Sequence, residues 1–236
     1  MRLTRVKYLR YNWPMLVIGH RGAAGLAPEN TLAALQAGVD AGADILEFDV
    51  RLTSDGVPVL AHNPRLAGKW LSQTTLAELQ QATTVTTLQE VLDVFFGKIL
   101  LNIEIKQTKS VPAVCEAIKL YITRDSDWDN ILFSSFKPQA LVLLRENGDE
   151  LNLALLHHIN PFTYMRYHKK LNLSAVGFHR LHINSIALAV AKELGIFTYV
   201  YTVDLPKTAL RMEQRGLDGV VTNYPNKLND ALTPKA

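Results

Sequence analysis

A single cysteine, Cys115, stands among 236 residues, which excludes an internal disulfide and fits a reducing compartment. It falls in a helical pattern running from Val111 to Leu120 and reads as a core residue. No apolar run approaches the ~20 residues that a helix needs to cross a bilayer. Arg2, Arg5, Lys7 and Arg10 resemble the basic region of a signal peptide, but the apolar stretch behind them spans only Met15 to Ile18. The chain is therefore expected to remain cytoplasmic. There is no dense basic stripe either. A net charge of +3 and a pI near 8.9 suit anionic substrates without pointing to nucleic acid. The two basic clusters are the N-terminal arm (1–14) and Arg166-Tyr167-His168-Lys169-Lys170. Both read as solvated surface, with a peripheral membrane contact as the alternative.

What is present is an alternation of short apolar runs with helical patterns. Predicted strands are Met15–Gly19, Ile45–Val50, Ile99–Ile105, Asn130–Ser134, Asn152–Leu156, Ala175–Phe178, Phe197–Val203 and Gly219–Thr222. Asn30 and Asn184 stand where helix N-caps belong, with Leu32, Leu35 and Val39 on one face of the first helix. Thr75 with Glu78 and Thr87 with Glu90 have the spacing of capping boxes. Pro138 opens a helix that ends at Gly148, and Gly195 and Gly216 stop two others. Eight strands alternating with helices in ~250 residues predict a closed (β/α)8 TIM barrel, with a doubly wound open sheet as the alternative. The division expected is an arm over 1–14 and one domain over 15–236.

The second strand continues into a hairpin signal. Apolar and polar residues alternate around Asp55-Gly56, and a two-residue turn there pairs Ser54 with Val57 and sets His62 opposite Asp49. Pro58 restricts this extension to a sheet edge.

Barrel chemistry gathers at the C-terminal ends of the strands. Those ends deliver His20 and Arg21, then Glu47 and Asp49, then Glu104 and Lys106, and the hairpin returns His62 and Asn63. Three carboxylates in one mouth repel one another unless a cation sits among them, and an all-oxygen donor set suits Mg²⁺ or Ca²⁺. The alternative, ordinary surface carboxylates, fits poorly with Ile45, Leu46, Phe48 and Val50, which make the strand apolar on both faces. Two histidines beside such a site suit phosphodiester cleavage, one taking and one giving a proton, with Arg21 and Lys106 neutralising phosphoryl oxygens. His157, His158, His168, His179 and His182 have weaker claims. Pro28-Glu29-Asn30-Thr31 is either a helix cap or a hydrogen-bonding loop over the site.

These residues resemble the glycerophosphodiester phosphodiesterase family. The matching pieces, in order, are Ile18-Gly-His-Arg-Gly-Ala23, Pro28-Glu-Asn-Thr31, Leu46-Glu-Phe-Asp-Val50, Ser54-Asp-Gly56, Leu60-Ala-His62, Thr87-Leu-Gln-Glu-Val91, Asn102-Ile-Glu-Ile-Lys106, Phe133-Ser-Ser-Phe136, Tyr201-Thr-Val203 and Gly219-Val-Val-Thr-Asn-Tyr-Pro225. The resemblance implies hydrolysis of glycerophosphodiesters to sn-glycerol 3-phosphate and an alcohol, through attack by the neighbouring glycerol hydroxyl. It implies His20 and His62 as the acid–base pair and Glu47, Asp49 and Glu104 as ligands of a divalent cation. Arg21, Lys106, Glu29 and Tyr201 are the implied substrate contacts. The chain departs from the family at Asn63, often Asp; at Tyr201, often Trp; and in a short excursion between His62 and Glu104.

Two other readings accompany this one. A lysophospholipase D-type enzyme would take an acylated substrate, with Phe162, Tyr164, Met165 and Tyr167 lining the mouth. A non-catalytic barrel would bind phosphate or metal only. A sugar-phosphate isomerase barrel has no use for three clustered carboxylates.

Overall fold

The structure is a computed structural model and describes residues 15–232. Eight parallel strands close into a barrel: β1 (Leu16–Gly19), β2 (Ile45–Leu52), β6 (Leu100–Ile105), β7 (Ile131–Ser135), β8 (Asn152–His157), β9 (Ala175–His179), β10 (Phe197–Tyr201) and β11 (Gly219–Thr222). Each pairs with the next, and β11 returns to β1, so every predicted strand is found and the open-sheet alternative falls away. The predicted arm (1–14) lies outside the described residues.

Helices α1 (Leu32–Asp40), α2 (Leu76–Gln80), α3 (Leu88–Phe95), α4 (Val111–Lys119), α5 (Pro138–Asn147), α6 (Thr163–Leu171), α7 (Ser185–Glu193), α8 (Pro206–Gln214) and α9 (Pro225–Leu232) follow the strands or the excursion. Thr75 and Thr87 form both predicted capping boxes, each worth roughly 1 kcal/mol to its helix start. Asn184 caps α7. The cap of α1, however, is Thr31 and not Asn30. Asn30 takes a left-handed φ of 58° and turns its amide inward, because a buried carboxylate offers it a stronger partner than a helix end does. No helix among the described residues is long and apolar enough to cross a membrane.

Period-two alternation sorts the strand residues into two cores. Leu16, Ile18, Ile45, Leu132, Leu156, Phe197, Tyr199 and Val221 fill the barrel. Val17, Leu46, Phe48, Val50, Leu101, Ile103, Phe133 and Leu155 pack outward against the helices, where Cys115 is also buried. Each fully buried side chain of this kind contributes about 1.5–3 kcal/mol of transfer free energy.

Beyond the barrel, β3 (Pro58–Leu60) pairs antiparallel with β2 at the sheet edge, as Pro58 required. Its register is one residue off the prediction. Val50 faces Leu60 and Leu52 faces Pro58, and Ala61, not His62, donates its N–H to the Asp49 carbonyl at 3.0 Å. The turn is a three-residue loop, Ser54-Asp55-Gly56, with Gly56 at φ 82° in the left-handed position that such loops assign to glycine. The excursion that follows holds only β4 (Arg65–Leu66), β5 (Lys69–Trp70), a 3-10 turn at Leu71–Gln73 and α2. It rests on its own small core of Val59, Ala61, Leu71, Leu79 and Val85.

Candidate active site

Residues 47, 49 and 51 share the inner face of β2; 102, 104 and 106 continue the inner face of β6. In register Asp49 lies beside Glu104, and Glu47 beside Asn102. The three carboxylates are 5%, 1% and 8% exposed at Glu47, Asp49 and Glu104, and each offers an oxygen within 4.8 Å of the others. Burial and the Asp49 charge push Glu47 well above the ordinary carboxylate range, and the same two causes raise Glu104 to about 7. Asp49 is buried too, but Lys106, the Asn30 amide and Arg21 outweigh that burial and hold it low. Upward shifts at two of three clustered acids are the signature of a site short of positive charge, and its all-oxygen donors suit a hard divalent cation.

The neighbours are built around this cluster. The Asn30 amide donates to Asp49 Oδ2 at 3.0 Å while the Asp49 N–H donates to Asn30 Oδ1 at 3.0 Å, a reciprocal clamp. Lys106 Nζ lies 2.6 Å from Glu104 Oε1 and 3.2 Å from Asp49 Oδ1. Arg21, at φ 51°, donates its backbone N–H to Glu47 Oε2 at 2.9 Å and sets Nε 3.4 Å from Asp49. The next residue must be glycine: a Cβ on Gly22 would sit 2.4 Å from the Ala34 backbone of α1.

His20 continues the inner face of β1. Its Nδ1 lies 2.7 Å from Asn223 Oδ1. Asn223 in turn donates Nδ2 to Asp204 Oδ2 at 2.8 Å, and its backbone N–H to Asp204 Oδ1 at 2.8 Å. An acceptor at Nδ1 puts the imidazole proton there and leaves Nε2 with a lone pair. Burial lowers the His20 pKa, which favours the neutral ring. His62 stands past the last paired residue of β3. Its backbone is gripped by Arg51, whose Nε and Nη2 donate to the His62 carbonyl at 2.9 and 2.8 Å. Burial lowers its pKa as well. Asn63 approaches its Nδ1 at 3.3 Å.

All these groups except Asn30, Asn63, Asn223 and Asp204 line one cavity of about 650 Å³ at the C-terminal mouth. Glu29 does not line it; this carboxylate reaches the site through Arg21 Nη1, at 2.6 Å. Tyr201 does line it. Phe162, Tyr164, Met165 and Tyr167, which the acylated-substrate alternative puts at the mouth, do not. Tyr164 is fully buried on the outer side, with its hydroxyl on the Ala187 carbonyl at 2.7 Å, and Met165 and Tyr167 pack against that outer core. Residues given no role from sequence are Arg51, Asn102, Gln107, Ser134, Phe136 and Lys137, together with Asp204 and Asn223, although Asn102, Ser134, Phe136 and Asn223 fall within the matching motifs. Strand parity was the available signal: 102, 134 and 136 lie two steps along from inward-facing positions.

Fold and site together define a (β/α)8 barrel whose mouth carries a buried carboxylate cluster able to hold a metal ion. The model of the glycerophosphoryl diester phosphodiesterase family matches residues 20–227. A Bacillus subtilis relative, YhdW, is 30% identical over 237 residues, covering 90% of this chain and 96% of its own. A glycerophosphodiester phosphodiesterase of Caldanaerobacter subterraneus is 29% identical, with 90% and 96% covered. Among solved structures, an Oleispira antarctica phosphodiesterase in complex with the product sn-glycerol-3-phosphate superposes with a TM-score of 0.83. It is 27% identical, with 95% of this chain and 99% of that one covered. The chain belongs to the glycerophosphoryl diester phosphodiesterase family, a family of hydrolases.

Proposed function

We propose that residues 15–236 form one phosphodiesterase domain that hydrolyses glycerophosphodiesters to sn-glycerol 3-phosphate and an alcohol. The observation that carries this reading is the meeting of Glu47, Asp49 and Glu104 with His20, His62, Arg21 and Lys106 around a single cavity. Glu47, Asp49 and Glu104 would hold the divalent cation, Mg²⁺ or Ca²⁺. When bound, the cation withdraws charge from the phosphoryl oxygens and favours ionisation of the attacking hydroxyl.

The chain's own groups do the rest. His20, neutral and with its lone pair at Nε2, accepts the proton of the attacking glycerol hydroxyl. His62 enters the step as the imidazolium and gives its proton to the departing alkoxide as the P–O bond breaks. Water then opens the cyclic phosphate, with the two roles exchanged. Each transfer is worth roughly 10²–10⁴ in rate. Arg21 and Lys106 bind the non-bridging oxygens, Glu29 orients the Arg21 guanidinium, and Tyr201 walls the alcohol side.

An acylated substrate loses its support, because the four residues meant to line a tail lie outside the cavity. Incubating purified protein and Mg²⁺ or Ca²⁺ with glycerophosphoglycerol and glycerophosphocholine tests the proposal. Release of sn-glycerol 3-phosphate is expected. Release of the head-group phosphate instead would contradict it.

A further inference from the structure

The cavity has two walls of unlike chemistry. Strands β1, β2 and β6, with the segment just after β3, supply the acids and the two histidines. Strands β7 to β10 and the residues just beyond them supply Ser134, Phe136, Lys137, His158, Tyr201 and Thr202. Among the described residues of the lining, no carboxylate lies outside the acidic triad, and the second wall is bordered by Lys106 and Lys137. A head group with a fixed positive charge finds no counter-charge there beyond the three acids committed to the metal.

Aromatic rings can substitute for a carboxylate in binding quaternary ammonium. Here that seat is taken. The His158 ring stacks on Phe136 at 4.1 Å between centroids, with the planes 8° apart. Lys106 Nζ already stands 5.9 Å from the Phe136 centroid. Tyr201 meets Phe136 edge-on at 89° and commits its hydroxyl to the His157 carbonyl. Hydroxyl-seeking groups, by contrast, are unspent: Ser134 is 1% exposed, and its Oγ has no hydrogen-bond partner. A buried hydroxyl without a partner is costly until a ligand satisfies it.

We propose that the alcohol side of the cavity accepts a polyhydroxylated, uncharged or anionic alcohol of the glycerol or inositol type and discriminates against choline, with Lys137 as the specificity-determining residue. This inference rests on the phosphodiesterase reading above. Lys137 is exposed at the residue before α5, where a carboxylate also suits the helix N-terminus, so Lys137→Glu folds.

The test is kcat/KM for glycerophosphoinositol, glycerophosphoglycerol and glycerophosphocholine, followed by sn-glycerol 3-phosphate release from metal-loaded enzyme. The polyol diesters are expected to exceed the choline diester by about tenfold or more, the effect of one unfavourable charge contact. Lys137→Glu is expected to narrow that ratio by about tenfold, and Lys137→Gln by less. Equal or better cleavage of glycerophosphocholine, or a ratio unmoved by Lys137→Glu, overturns the inference. Cleavage of none of the three overturns the phosphodiesterase reading, and this inference with it.

Discussion

His20 and Asn223, 203 positions apart in sequence, meet at 2.7 Å between Nδ1 and Oδ1. The contact closes the barrel mouth between its first and last strands. Asp204 fixes which way the Asn223 amide points, since it accepts from Nδ2 at 2.8 Å. The imidazole tautomer is thereby chosen two residues away from the ring itself. Asn223→Ala is expected to lower kcat about 10–100-fold with KM little changed, as proton transfer loses its fixed base. Nitrogen-15 NMR of the imidazole reads the tautomer directly. A ring still protonated only at Nδ1 in Asn223→Ala would show that the amide does not set it.

Arg51 grips the His62 carbonyl with two donors, and His62 has left the sheet by that point. Arg51→Met is expected to cost about tenfold or more in kcat, because a small misplacement of a reacting group is expensive. Arg51→Lys, which restores one donor, should recover part of the loss. Steady-state kinetics of the two variants check this, with circular dichroism to confirm the fold.

The acidic cluster predicts a metal effect that needs no turnover. Mg²⁺ or Ca²⁺ at about 100 times its Kd should stabilise the protein by about 2.7 kcal/mol, seen as a rise in Tm. Glu47→Gln should abolish most of that rise. It should also leave the metal-free protein no less stable than before, since it removes a buried acid pushed far up in pKa. A metal-induced rise that survives in Glu47→Gln would place the ion elsewhere.

Much of this was legible in the chain. The eight strands and the inner-face carboxylates follow from period and parity, and both capping boxes from the Thr-x-x-Glu spacing. One failure was local. The Asp55-Gly56 pair signalled a two-residue turn, but Thr53 Oγ1 bonds Asp55 Oδ1 at 2.5 Å and Val57 N–H at 3.0 Å, which closes a longer loop and slips the register by one. His62 reaches the cavity all the same because the chain departs from the sheet after Leu60. The position of Asn30 suits a helix cap, and nothing local reveals that Asp49 sits within reach of its amide. Tyr164 and its neighbours gave no hint that their helix turns them toward the outside of the barrel. These are long-range relations, set by packing and not by neighbours in sequence.

His157 gives a prediction about acid stability. It is buried, neither ring nitrogen has a hydrogen-bond partner, and burial lowers its pKa to about 4. A histidine with a lowered folded pKa binds fewer protons than in the unfolded chain, so its contribution to stability is lost as pH falls from about 6.5 toward 4. His157→Phe should remove up to about 3 kcal/mol of that pH-dependent loss, and at neutral pH should be neutral or stabilising. Denaturant midpoints at pH 7 and pH 5 compare the two proteins. An unchanged difference between the two pH values would mean that His157 does not titrate in this range.

The most direct measurement is release of sn-glycerol 3-phosphate from a glycerophosphodiester by the wild type and His20→Ala, each with EDTA and after restoring Mg²⁺ or Ca²⁺. Release by the wild type that EDTA removes, that the cation restores and that His20→Ala lacks is the predicted result. Release that persists in EDTA or in the variant, or none from folded and metal-loaded wild type, would contradict the account.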